Sequence, residues 1–334
     1  MARGSESTQH RHYWLLTSPR TASNLLVKML NLDEQGVRPA HMGGYFFIPA
    51  APMQFKLQEK PMDTWTDEER TSLHNLHQEC FHRLQDHIDE AERQGQKLFV
   101  KEHTMILNSP YFEARQVYGV TGDLPGEPKT LDMRGVQHPS RSPLNLTVLP
   151  DEFLKIWHPT FLIRHPAMML PSLFRTCLCD SELNGFTRAK KEPMAAEVTM
   201  KWFRTLYDFY TVHFEGDSHW PIVLDADDVM TNPALVSKYA ELAGLDSNKV
   251  RFSWEKASED KLKKLQALEQ RMLSTINATE KVDNSKVAGN VDIDDEAAKW
   301  RSEFGENEGR KLEQWVRNAM PDYHFLYTRR LRLE

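Results

Sequence analysis

Three short stretches of this 334-residue chain carry residue types that could do chemistry together. The first is Thr17-Ser18-Pro19-Arg20-Thr21-Ala22-Ser23-Asn24. It follows the apolar run Tyr13-Trp14-Leu15-Leu16 and precedes Leu25, Leu26, Met29 and Leu30 at helical spacing. That order reads as strand, loop and helix. Backbone N–H groups at a helix start attract an anion, helped by the helix dipole. Thr21, Ser23 and Asn24 add side-chain donors, and Arg20 adds a permanent charge with forked donors. A phosphate or sulfate suits such a loop. Because it has neither the glycines nor the lysine of G-x-x-x-x-G-K-S/T, ordinary ATP or GTP hydrolysis is disfavoured.

The second stretch, Lys101-Glu102-His103, ends the short apolar run Leu98-Phe99-Val100. A histidine at a strand end can take a proton, since its reference pKa is about 6.5. The third is Phe161-Leu162-Ile163-Arg164-His165-Pro166, with Ser172 eight residues beyond Arg164. It offers a guanidinium and a hydroxyl to a second anion. Taken singly, Arg164 reads as a structural arginine capping a carboxylate, and His103 as a satisfied structural histidine. Taken together, the three describe a ligand with two separated anionic groups and a base beside it.

These residues need elements to hold them. Strands are expected at 13–17, 98–100, 160–163 and 221–225. Helices are expected from about Ala22 to Leu32, over 66–94, from Pro166 to about Cys179, from Met194 to Phe214 and near Pro233–Ala243. Alternating strands and helices imply an α/β fold with a central parallel sheet flanked by helices. In such sheets ligands sit beyond the carboxyl ends of the strands, where all three motifs fall. Residues 1–12 read as a flexible tail and 13–334 as one domain. Within it, 104–150 is a long loop or lid, and 258–334 forms a mainly helical C-terminal region. The segment 43–55, GGYFFIPAAPMQF, is too proline-broken for a long helix. It reads either as a core strand and loop or as a wall of an acceptor pocket. Helix 66–94 carries His74, His77, His82 and His87. They read as a solvated flank, because no acidic or cysteine partner completes a metal-ligand set.

The bulk numbers narrow the classes. A net charge of -6 and a pI near 6.2 do not suggest a nucleic-acid partner. No apolar run approaches the length that crosses a bilayer. The polar start has no signal-peptide core, so the expected location is cytoplasmic. Cys80, Cys177 and Cys179 give no disulfide framework and read as buried thiols. Asn145 and Asn277 match the glycosylation pattern, which means little without a secretory signal.

The ordered motifs resemble the sulfotransferases that use 3′-phosphoadenosine 5′-phosphosulfate (PAPS). Their first loop runs roughly T-x-P-K/R-S/T-G-S/T-T/N, which Thr17 to Asn24 fits. Arg164 and Ser172 match their second anion site in type and spacing, and Lys101-Glu102-His103 matches their K-x-H strand end. Leu224 to Pro233 resembles the family's E-D-L-x-x-x-P turn, and Phe252-Ser253-Trp254-Glu255 resembles its T-S-F-E segment. The resemblance covers about residues 13–256. It implies a P-loop-type three-layer domain and transfer of a sulfuryl group to a hydroxyl of a small, apolar acceptor, with adenosine 3′,5′-bisphosphate as product. His103 would be the base and Lys101 its support. Arg20, Thr21, Ala22, Ser23 and Asn24 would hold the 5′-phosphosulfate, with Arg20 stabilising the leaving oxygen. Arg164 and Ser172 would hold the 3′-phosphate and Trp254 would stack on adenine. No metal is implied.

The chain also departs from the pattern. Arg20 replaces a lysine, and Ala22 replaces a glycine, which tightens the loop. The C-terminal R-K-G-x-x-G loop is missing, with Asn284 to Gly289, including Lys286, as a weak substitute. Two rivals stand beside simple transfer: sulfonation used for elimination or cyclisation, and nucleotide binding without turnover. Should His103 not serve, Glu113 and His138 are the next candidates for the base.

Overall fold

The computed structural model describes residues 12–122, 124, 128–179, 187–265 and 267–333. Its centre is a four-stranded parallel sheet in the order β2-β1-β3-β4. The strands are β1 (His12–Thr17), β2 (Leu98–His103), β3 (Trp157–Ile163) and β4 (Ile222–Asp225). They are almost wholly buried, as strands covered on both faces should be. Side chains alternate between the faces. Trp14, Leu16, Val100, Phe161 and Val223 enter one core, with Phe81 and Leu84 of α3 (Asp67–Arg93) and Phe203 and Tyr210 of the helix Lys201–His213. Tyr13, Leu15, Phe99, Leu162 and Leu224 enter the other, with Leu26 and Leu30 of α1 (Ser23–Leu30) and Val236 of the helix Pro233–Leu242. Two cores on one sheet make three layers.

The register brings the strand ends together. Thr17 pairs with His103, so the first loop leaves the sheet beside the second motif. β3 runs on the other side of β1, with Leu16 opposite Phe161, and delivers Arg164 one residue past its end. Helix α3 begins as its sequence predicts. The Thr66 hydroxyl accepts from the Glu69 amide and the Glu69 carboxylate accepts from the Thr66 amide, a complete capping box.

Several expectations differ from the structure. Residues 43–55 hold no strand; they form short turns leading into the helix α2 (Ala51–Gln58). Pro49 and Pro52 sit at the starts of helical segments, where their missing N–H groups cost nothing. His77 and His87 of α3 are buried rather than solvated, because the turns before α2 fold over α3 and set Phe47 against His77 and Phe46 against His87. The helix expected from Met194 starts at Lys201, because Glu197 folds back to accept the Met194 amide in a separate turn. Residues 104–150 are not a bare loop. They include the helix Pro110–Gln116 and a bridge between Asn108 and Thr147. Cys80 and Cys177 are buried, but Cys179 is exposed past the helix end. Asn145 is wholly buried, its amide donating to Leu149 and Asp151. Among the described residues no helix is long and apolar enough to cross a membrane.

Candidate active site

The first loop turns through two non-glycine residues in the left-handed region, Arg20 at φ 70° and Ala22 at φ 65°. L-residues are disfavoured there by about 1–2 kcal/mol each. Ala22 is also the position before α1, and no side chain caps that helix. The Leu25 and Leu26 amides close on the Ala22 carbonyl at 3.0 and 3.2 Å, and the N–H groups before them have no intrahelical acceptor. Thr21 is tied down, its hydroxyl donating to the Ser18 carbonyl at 2.9 Å.

Strand β2 sets the second group. By alternation Lys101 and His103 face the α1 side, while Glu102 faces the opposite core. There Glu102 accepts the backbone amides of Phe46 and Phe47, the latter at 2.9 Å. Burial still pushes its pKa up to about 8. Lys101 is buried and donates to the Asn24 side-chain oxygen at 2.6 Å, with its ammonium 4.4 Å from the centre of the Tyr45 ring. Burial lowers its pKa to about 8.

The hydrogen bonds of His103 fix its tautomer. The Thr17 hydroxyl donates its one proton to the Glu102 carbonyl at 3.1 Å. Its oxygen also lies 2.7 Å from His103 Nδ1, and with the hydroxyl proton on the Glu102 carbonyl it accepts from Nδ1–H. The Nε2 lone pair is then free to accept, and the Tyr45 hydroxyl meets it at 3.2 Å. Burial, then the Lys101 cation, drive the imidazole pKa down to about 3. His103 is thus neutral, with Nε2 against the Tyr45 hydroxyl.

The two expected anion groups are in contact. Arg20 Nε donates to Ser172 Oγ at 2.9 Å, and its Nη1 reaches the Met272 carbonyl and sulfur. Arg164 donates to the Arg20 carbonyl at 2.9 Å and to the Lys286 carbonyl at 2.7 Å, while its Nε is buried without a hydrogen-bond partner. Burial, then Arg164, then Arg271 lower the Arg20 pKa to about 10. Such crowding of cations is costly unless an anion joins them. The 284–289 loop does pack here. Its Ala288 and Gly289 amides donate to the Asp227 carboxylate at 2.8–3.0 Å, in the turn after β4. Trp254 is held by Nε1 donating to the Ile276 carbonyl at 3.2 Å.

One cavity of about 930 Å³ joins these groups: Arg20, Ala22, Ser23, Asn24, Lys101, His103, Arg164, Ser172, Trp254 and Lys286 all line it, whereas Thr21 does not. The reserve bases lie elsewhere. Glu113 is buried among Gln58 and Asn108, and His138 is exposed away from the cavity wall. Sequence reasoning missed Tyr45, Thr17 as the partner of the base, and the pair Arg188 and Glu197 on the cavity wall. Only the aromatic, proline-broken character of 43–55 hinted at the first.

A four-stranded parallel sheet with cationic groups at its strand ends fits a class that transfers anionic groups, and relatives narrow that class. No family model matches the chain. The chain is 40% identical over 344 residues to sulfotransferase ppzF of Metarhizium majus, covering 97% of each. It is 38% identical over 340 residues to sulfotransferase ppzF of Metarhizium rileyi, covering 96% of each. This chain belongs to the sulfotransferase family. Among solved structures it is similar to the sulfotransferase domain from the curacin biosynthetic pathway, with a TM-score of 0.36 and 15% identity over 92% of this chain and 97% of that one. It is similar as well to the sulfotransferase domain of the Synechococcus PCC 7002 olefin synthase, with a TM-score of 0.35 and 12% identity over 91% and 99%.

Proposed function

We propose that this sulfotransferase is a cytoplasmic enzyme that uses PAPS to sulfonate a hydroxyl on a small, largely apolar metabolite. The observation that carries this is the cavity that joins the Arg20, Arg164 and Ser172 cluster to His103. The residues suit the nucleotide. The uncapped start of α1 offers backbone donors, Arg164 Nε is a buried donor without a partner, and the crowded guanidiniums call for negative charge. When bound, PAPS supplies the sulfuryl group.

The residues divide the work as follows. Arg164, Ser172 and Arg20 hold the phosphate oxygens, and Trp254 gives adenine a flat apolar face. Lys286 lies at the same end of the cavity and adds a cation there. Ser23 and Asn24 donate at the start of α1. Lys101, held on Asn24 beside the base, supplies a positive charge in a buried setting, where it acts strongly on developing negative charge. His103 Nε2 takes the proton of the acceptor hydroxyl once that hydroxyl displaces Tyr45. Thr17 occupies Nδ1, which leaves Nε2, the nitrogen beside Tyr45, to receive the proton.

The test is incubation with PAPS and a metabolite extract, followed by mass analysis. A product that has gained one SO₃ and retains it supports the reading. A sulfonate that is formed and then lost as an alkene or ring appears points to elimination or cyclisation. Tight binding of adenosine 3′,5′-bisphosphate with no product from any hydroxyl compound would overturn the transfer reaction.

A further inference from the structure

The cavity wall carries a charged pair for which the transfer chemistry has no use. Arg188 donates from Nη1 and Nη2 to the two carboxylate oxygens of Glu197 at 2.6 and 2.7 Å. Glu197 also accepts the Met194 amide at 2.7 Å. The two side chains are only 19% and 2% exposed, and both line the same cavity as His103. The Arg188 guanidinium lies 5.1 Å from the centre of the Phe55 ring, and Ile48, Met105, Ile106 and Leu173 are among the apolar residues lining the same cavity.

Burying such a pair rarely stabilises a fold more than apolar residues of equal volume would. Its place on the wall of an apolar pocket therefore points to recognition. Glu197 already accepts three donors. Arg188 has five N–H groups, of which two go to Glu197, and among the described residues the others meet no partner. The wall thus presents donors rather than acceptors. The pair is neutral as a unit, so a neutral oxygen completes it without leaving a charge unmatched. A carboxylate would instead compete with Glu197 for one guanidinium and add a buried negative charge beside it.

We infer that Arg188 determines acceptor specificity by hydrogen-bonding a carbonyl oxygen, of an amide, lactam or lactone, on an apolar ring system held in this cavity. The acceptor would carry its reacting hydroxyl at the His103 end and its carbonyl at the Arg188 end. This rests on the reading of the cavity as a sulfuryl-acceptor site.

The experiment measures binding, so it does not depend on turnover. The probes are 7-hydroxy-2-quinolinone, which has the lactam carbonyl, and 2-naphthol, which has similar rings without it. Their affinities are measured by calorimetry, with and without adenosine 3′,5′-bisphosphate, for the wild type, Arg188→Lys and the neutral double variant Arg188→Met/Glu197→Gln. The wild type should bind the quinolinone at least tenfold more tightly, as expected for a hydrogen bond to a charged donor. The double variant should bind both alike, with naphthol affinity within about threefold of wild type, and Arg188→Lys should keep part of the preference. Equal wild-type binding, a preference that survives the double variant, or no binding of either probe overturns the inference. So does tighter binding of 6-hydroxy-2-naphthoate, which would make the recognised group a carboxylate. If the nucleotide fails to bind while the Arg188-dependent preference holds, the sulfonation reading fails and the carbonyl site stands.

Discussion

Arg20 Nε donates to Ser172 Oγ at 2.9 Å across 152 residues of chain. The arginine of the first loop therefore belongs to the cluster around Arg164, and Lys101 is the cation beside the base. Arg20→Ala and Arg164→Ala should each weaken binding of adenosine 3′,5′-bisphosphate about ten- to a hundredfold, as for hydrogen bonds to charged groups. Lys101→Met should mainly lower kcat. A double-mutant cycle of Arg20→Ala with Ser172→Ala should give a coupling of about 0.5–3 kcal/mol in nucleotide binding. Strict additivity would separate the two residues again.

The buried setting of His103 changes the pH profile expected of a histidine base. With the imidazole pKa lowered to about 3, the base is unprotonated across the neutral range, so kcat at saturating donor should be flat between about pH 5 and 7. Lys101, with its pKa near 8, should instead lose its charge as pH rises, which gives a falling alkaline limb. Removing the Lys101 cation raises the His103 pKa, so Lys101→Met should move the acid limb upward. His103→Ala should lower kcat by about 10²–10⁴ with nucleotide affinity retained. An acid limb near pH 6.5 in the wild type would contradict the desolvated histidine.

Thr17 does not line the cavity and, on the proposed mechanism, would act through His103. Thr17→Val keeps the shape but leaves a buried Nδ1–H unpaired, a cost of about 1–3 kcal/mol that favours the wrong tautomer. A kcat lowered about ten- to a hundredfold is expected, with unchanged KM for the donor. Thr17→Ser, which restores the hydroxyl, should recover most of the rate. A purely structural Thr17 would show equal loss of melting temperature and rate in both variants.

Ala22 sits at φ 65° with a Cβ that disfavours this conformation. Ala22→Gly relieves about 1–2 kcal/mol of strain and costs about 0.5–1 kcal/mol in chain entropy. The variant should melt no lower than wild type, and higher by up to a few degrees. Ala22→Val, branched at Cβ, should lower the melting temperature and weaken nucleotide binding together. A stabilised valine variant would mean that the loop relaxes out of this conformation.

The sequence revealed those parts of the site whose causes are local. Apolar runs ending in polar groups marked β1, β2 and β3, because buried parallel strands leave only their ends for chemistry. Thr66 and Glu69 marked the start of α3 because a capping box spans a single turn. Contacts between distant segments were hidden. No spacing rule places Tyr45 on His103, 58 residues on, or turns Arg20 onto Ser172. The pattern of 43–55 suited a strand as well as the turns and helix that formed, because packing against α3 decided between them. Glu197 looked like an ordinary residue of a helical first turn until Arg188 gave it a partner.

The residues proposed to hold the donor lie on the first loop, α1, the end of β3 and the helix and loops beyond it, whereas Phe55 lies on α2 and Arg188 in the 187–197 segment, outside the four strands. Lineages descended from this scaffold can therefore alter what they sulfonate while inheriting the same donor machinery, so its relatives should diverge in substrate long before they diverge in reaction.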